Sequence, residues 1–232
     1  MKVLIVSGTN HKGSTYHIGR MLAEKVTSPE NIDEIYLPKD FGEFCCGCTN
    51  CFIKGAEHCP HYEKLRDITE LIDAADFLIF TTPTYVYHSA GQLKALLDHY
   101  GWRWMVHRPE EKMFSKQAAV ISTAAGAGMK SAIKDVADSC FFWGIPRIYK
   151  YGKAVMATGW DEVKPKIMQS IEKKTDSIAA KVKKNQGKKG VPLKTAGFFF
   201  IMHLMQRNGF NELDKKYWTE KGWTKNVRPW KG

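Results

Sequence analysis

Six cysteines stand at positions 45, 46, 48, 51, 59 and 140, and five of them fall within fifteen residues. The set Cys45-x2-Cys48-x2-Cys51-x7-Cys59 has a spacing at which thiolates can wrap one iron–sulfur cluster or a tetrahedral zinc. In a reducing compartment so dense a set points to metal or redox chemistry rather than to a disulfide framework. His58 and His61 flank Cys59 and keep zinc open, while Cys46 is a fifth thiol that a cluster does not need. The competing readings are a redox disulfide, or cysteines that pack a loop and hold no metal. Cys140, beside Phe141 and Phe142, reads as core.

Three further segments carry chemistry. Ser7-Gly-Thr-Asn-His-Lys-Gly-Ser-Thr15 follows an apolar run and opens a helical pattern, so backbone N–H groups and hydroxyls converge into an anion site. It lacks the G-x-G-x-x-G spacing, and although Gly8 and Gly13 have the Walker A spacing, Ser14 stands where the lysine belongs. A hydroxyl-rich loop without that lysine suits a single phosphate monoester, such as that of FMN, better than a triphosphate; a plain turn with a helix cap is the alternative. In Thr81 to Lys94, Pro83 stiffens the chain, and Tyr85 and Tyr87 offer flat surfaces for stacking or edge contact with an isoalloxazine ring. Thr123-Ala-Ala-Gly-Ala-Gly128 is built of small residues, so its backbone can approach a planar ligand closely.

The elements that must position these segments follow from patterning. Lys2 to Ser7, Asp76 to Thr82 and Gln117 to Thr123 are short apolar runs of the kind buried on both faces of a parallel sheet. Ile32 to Leu37 is a weaker strand and Pro146 to Met156 a fifth. Between them the spacing predicts helices over Tyr16 to Lys25 with Ser14 or Thr15 as cap, around Leu65 to Ala75, Ser89 to Trp104, Met129 to Trp143 and Asp161 to Lys184. Residues 38–62, with the cysteines, read as a long irregular stretch, a length that is usually functional. Five alternations of strand and helix give an α/β fold, and ligands in such a sheet bind beyond the carboxyl ends of the strands at the switch point.

Gly187 to Gly190 reads as a linker, dividing a domain over residues 1–186 from a basic, Trp-rich extension over 187–232 with one helix near Phe198 to Arg207. Residues 164–232 hold 17 of the 35 Lys and Arg but 5 of the 24 Asp and Glu, so the net charge of +11 sits almost wholly there. A basic tail could bind nucleic acid, an acidic partner or the phosphates of a nucleotide cofactor; a solvated lysine-rich helix is the plainer reading, and no nucleic-acid motif accompanies it. No run approaches the roughly 20 apolar residues of a membrane span. The start Met-Lys-Val-Leu-Ile-Val-Ser-Gly does not read as a signal peptide, which places the protein in the cytoplasm. His88, His99 and His107 could line a pocket, though surface positions are the plainer reading.

Taken together, the first loop, Thr82-Pro83-Thr84-Tyr85 through Gly91-Gln92-Leu93-Lys94, the glycine-containing third loop and Ala74-Ala75-Asp76 resemble the NADPH-dependent FMN reductase branch of the flavodoxin-like superfamily. The resemblance covers roughly residues 2–160, and Tyr217-Trp218 and Gly222-Trp223 are similar to the tails of some members. It implies a doubly wound, flavodoxin-like five-stranded parallel sheet of order 2-1-3-4-5, FMN as cofactor, NAD(P)H as hydride donor, and a homodimer or homotetramer. The acceptor would be a quinone, a flavin, a nitro or aromatic compound or a metal centre. The phosphate would rest on Ser7, Thr9, Ser14, Thr15 and Tyr16, the ring against Pro83, Thr84, Tyr85, Val86 and Tyr87, with Ala125, Gly126 and Gly128 closing the other edge. Many members have Asn-Thr where this chain has Ser14-Thr15. Tyr85 would donate a hydrogen bond to the ring or substrate. The cysteines resemble the motif of iron–sulfur flavoproteins on the same fold, in which Cys45, Cys48, Cys51 and Cys59 would ligate a [4Fe-4S] cluster that exchanges electrons with FMN. Many plain flavin reductases carry a similar Cys-x-Gly-Cys-x-x-Cys stretch and hold no cluster.

Overall fold

Five short strands form one parallel sheet in the computed structural model, which describes residues 1–157, 159–209 and 211–231. They are β1 (Val3–Ser7), β2 (Ile32–Tyr36), β3 (Phe77–Pro83), β4 (Gln117–Ala124) and β5 (Arg147–Ala154), in the order β2-β1-β3-β4-β5. This is the order implied by the resemblance. β1, β3 and β4 are buried almost end to end because helices cover both faces of the sheet. Successive side chains alternate between the faces. Val3, Ile5, Phe77, Ile79 and Ile121 pack with Ile18 and Leu22 of α1 (Ser14–Val26) and Ile171, Ile178 and Val182 of α6 (Pro165–Lys184). Leu4, Val6, Leu78, Phe80 and Val120 pack with α3 (Tyr62–Ala74), α4 (Gly91–Asp98) and α5 (Met129–Phe142). Ser7 pairs with Thr81 and Pro83 with Thr123, so these strands deliver their loops to the same edge.

Several expectations are corrected. Ser14 and Thr15 do not cap α1. They are its first two residues, Gly13 holds the cap position, and no side chain caps the helix. The helix expected to reach Trp104 ends at Asp98, and the chain turns through a 3₁₀ segment at Gly101–Arg103. The apolar pattern misled because Tyr100, Arg103 and Met105 are buried in the turn much as a helix face would bury them. Residues 38–62 include a short helix, α2 (Asn50–Ile53), and a 3₁₀ turn at Ala56–His58. Beyond the predicted linker, α7 (Leu193–Asn208) starts five residues earlier than its pattern suggested, and α8 (Glu212–Glu220) follows. Phe199, Met202, Trp218 and Trp223 of this segment bury against Met105 and Phe114.

At the start of β4, Lys116 is buried, and its Nζ donates to the carbonyl of Asp73 at 2.8 Å and to that of Ala75. Burial pulls its pKa from 10.5 down to about 8. The unfolded chain therefore binds the extra proton between about pH 8 and pH 10.5, and stability rises with pH across that window. Lys116→Met is expected to flatten that rise, measured as Tm against pH; an unchanged slope would mean that Lys116 keeps its proton in the fold.

Candidate functional site

The first loop leaves β1 at Ser7, which is buried, and the Gly8 N–H donates to the Thr81 carbonyl at 2.7 Å. A Cβ at Gly8 would lie 3.0 Å from that carbonyl, so only glycine lets the first loop run this close to β3. The N–H groups of Ser14, Thr15 and Tyr16 have no acceptor within the helix and no capping side chain. They form an open cluster of donors at the positive end of the α1 dipole. Ser7 and Thr9 precede this helix start, and Ser14, Thr15 and Tyr16 open it. Lys12 was missed. Its ammonium lies 5.2 Å from the Tyr16 ring centre and 5.3 Å from that of Tyr36, beside the donor cluster. A lysine two residues ahead of the Walker position fits no standard spacing, so its only signal was its presence in the loop.

The second loop is built to hold aromatic side chains outward. The Ala90 N–H donates to Thr82 Oγ1 at 2.8 Å, and the Thr84 N–H donates to the Thr123 carbonyl at 2.9 Å. Tyr85 and His88 exchange two backbone hydrogen bonds of 3.0 and 2.9 Å around Val86 and Tyr87. Val86 has φ 47° and Tyr87 φ 68°. Two left-handed residues make a type I′ turn, which normally calls for Asn-Gly. A β-branched valine there costs about 1–3 kcal/mol. Tyr85, Val86 and Tyr87 are nonetheless 50, 93 and 64% exposed, so burial does not offset the strain. Asp135 of α5 anchors the turn, accepting from the Ser89 N–H at 3.2 Å and facing His88 Nδ1 at 3.1 Å. It sits in mid-helix, where no motif marks it.

The third loop closes against the second. Thr84 Oγ1 and Ser122 Oγ are 2.9 Å apart. Gly128 has φ 93°, and a Cβ there would stand 2.7 Å from Thr84 Cγ2 and 3.1 Å from Tyr87 Cα. Ala125 and Gly126 are exposed, and a Cβ on Gly126 would meet nothing within 4 Å. The result is an open shelf of backbone and small side chains beside the Tyr85–His88 turn. All thirteen residues expected to hold a cofactor lie on these three loops or at the strand and helix ends that flank them.

Cys45, Cys46, Cys48, Cys51 and Cys59 line one cavity of about 60 Å³ with His61 and His99. All of these thiols are free. Burial raises the Cys51 thiol to about 11, with Cys59, Cys45 and Cys48 adding like-charge repulsion, so these sulfurs lie within electrostatic reach of one another. Cys140 is fully buried on α5, as expected of a core residue. His99 is not a surface residue; it is buried, with Phe41 packed edge-on 4.9 Å away. Arg108 holds the loop from below, donating to the carbonyls of Cys51 and Phe52.

A sequence profile described as NADPH-dependent FMN reductase matches residues 1–157. The chain belongs to that family. This FMN reductase is thus an FMN-dependent oxidoreductase that takes its electrons from NAD(P)H. An NAD(P)H-dependent FMN reductase of Pseudomonas aeruginosa is 40% identical over 67 residues, 29% of this chain and 32% of that protein. An iron-sulfur flavoprotein of Archaeoglobus fulgidus is 24% identical over 233 residues, covering 96% of this chain and 99% of the relative. Among solved structures, an FMN-dependent NADH-azoreductase from Bacillus anthracis in complex with FMN superposes with a TM-score of 0.57. Its identity is 14%, over 79% of this chain and 100% of that one, a likeness of fold alone.

Proposed function

We propose that this FMN reductase holds the FMN phosphate at the start of α1 and lays the ring on the shelf between the Tyr85–His88 turn and Ala125 to Gly128. The observation that carries this is the strained turn with outward aromatic side chains, set at the carboxyl edge of β3, where an open α/β sheet binds its ligands. The donor set fits the group. Uncapped N–H groups and hydroxyls suit a phosphate monoester, Lys12 supplies a counter-charge, and the glycines leave room for a flat ring. When bound, FMN accepts hydride from NAD(P)H and returns electrons to an acceptor. The protein's part is to orient the ring and to leave one face open, which suits a small acceptor of the quinone, flavin, nitro or aromatic class. Tyr85, half exposed beside the shelf, donates a hydrogen bond from its phenol to the ring or the substrate. Residues 1–186 serve as the FMN-binding domain and 187–232 as its extension, in a cytoplasmic homodimer or homotetramer.

The test is anaerobic. Apo-protein titrated with FMN is expected to bind one per chain, and NAD(P)H to bleach it. Tyr85→Phe should bind FMN normally but lower turnover by roughly 2–10-fold, the worth of one hydrogen bond. Failure to take up FMN would sink the reading. Unchanged potential and turnover in Tyr85→Phe would remove that residue's role alone.

An electron-carrier reading is favoured by one observation, the convergence of the cysteines on a single cavity. Cys45, Cys48, Cys51 and Cys59 fit an iron–sulfur cluster as thiolate donors, and such a group would supply one-electron exchange with the flavin. Iron and sulfide content of anaerobically purified protein decides between this and a structural role for the thiols.

A further inference from the structure

The donor atoms that approach most closely in the cysteine pocket are not four sulfurs. The ligating atoms of Cys59, His61 and His99 lie within 4.8 Å of one another. His61 begins α3 and His99 closes α4, so the fold, not local spacing, joins them. His99 Nδ1 is 2.8 Å from the carbonyl of Ala95. A carbonyl only accepts, so the proton sits on Nδ1 and the lone pair on Nε2. That lone pair faces His61 Nδ1 at 2.9 Å. On its far side, His61 Nε2 lies 3.9 Å from the Glu43 carboxylate, which Lys64 holds in place. Each ring therefore has its outer nitrogen beside a carbonyl or carboxylate and its inner nitrogen facing the other ring. Metal-binding imidazoles are oriented in this way. A metal entering between the rings would require the His61 Nδ1 proton to move to Nε2, which faces Glu43, and this frees both inner nitrogens as ligands.

We propose that Cys59, His61 and His99 form a mixed thiolate–imidazole corner of the metal group that the cysteine pocket binds. This goes beyond a four-cysteine set, because an imidazole is a ligand in its own right and holds the corner when Cys59 is absent. The donor chemistry is that of a thiophilic or borderline metal, an iron–sulfur cluster or zinc. It is independent of the flavin site.

The experiment uses the full chain, purified anaerobically and reconstituted in parallel with ferrous iron plus sulfide and with zinc. Iron, sulfide, zinc and FMN are quantified for wild type, Cys59→Ala, Cys51→Ala, His61→Ala and the Cys59→Ala/His61→Ala/His99→Gln variant. The expected result is that Cys59→Ala keeps most of its metal, while Cys51→Ala and the triple variant lose nearly all of it. His61 is only partly buried, 22% exposed, at a helix start, so His61→Ala spares the core, and it should weaken metal binding roughly 10–100-fold. In an iron-loaded wild type, pulsed EPR of the reduced protein should show nitrogen coupling; zinc loading with the same variant pattern supports the corner and assigns it to zinc. Retained FMN shows that each variant is folded and keeps this test separate from the flavin reading. The proposal is overturned if Cys59→Ala loses metal as completely as Cys51→Ala while His61→Ala keeps it, or if neither reconstitution loads the pocket.

Discussion

Asp214→Ala is expected to cost about 3–5 kcal/mol of folding stability, the loss found when one partner of a buried ion pair is removed. Asp214 is fully buried on α8. Its Oδ1 accepts from Arg108 Nη1, and its Oδ2 lies 2.7 Å from His107 Nδ1 and 2.9 Å from Asn211 Nδ2. Arg108 is itself buried, so deleting the carboxylate strands a guanidinium in a low-dielectric site. For a chain of this size, the cost corresponds to a fall in Tm of roughly 6–20 °C. The effect reaches further than α8. Arg108 also donates to the carbonyls of Cys51 and Phe52, so the C-terminal segment braces the cysteine loop through one side chain. Thermal melts of Asp214→Ala and Asp214→Asn check this, the asparagine being milder because it keeps an oxygen for Arg108. A Tm within about 2 °C of wild type for the alanine variant, under 1 kcal/mol, would show that Arg108 finds other partners.

How much of this was legible in the sequence depends on where the physics is local. β1, β3 and β4 were readable because a strand covered on both faces must be apolar throughout, and the loops that follow them were readable because parallel sheets bind ligands at that edge. The α1 cap was misread because Ser14 and Thr15 are cap-forming types, yet Gly13 takes the position and leaves the N–H groups open. Residue type alone does not announce which of three adjacent small residues takes the cap position. α8 went unseen because it is mostly polar and buries only Asp214 and Trp218. His99 was placed on the surface because nothing near it in sequence marks a pocket; His61, its partner, lies 38 residues away. Asp135 and Arg108 escaped for the same reason. Each acts through a contact made only once separate elements have packed.

Gly128→Ala is expected to weaken FMN binding by roughly 10–100-fold, that is by about 1.4–3 kcal/mol. Two costs add at this position. With φ at 93°, any residue with a Cβ is strained, by about 1–2 kcal/mol. The new Cβ would also stand 2.7 Å from Thr84 Cγ2 and 3.1 Å from Tyr87 Cα. Tyr87 offers backbone there, so the clash is relieved only by moving the whole Tyr85–His88 turn or by tilting α5. α5 is the stiffer of the two, packed against the sheet through Val136, Ala137 and Cys140. The turn gives way instead, held by two backbone hydrogen bonds and the Asp135 anchor. Because that turn carries the aromatic side chains proposed to contact the ring, the displacement should appear as lost affinity more than as lost stability. Fluorescence titration of apo-protein with FMN, beside a melt without FMN, separates the two. A large fall in Tm with unchanged FMN affinity would mean that α5 had moved rather than the turn, and that the ring does not depend on where Tyr87 sits.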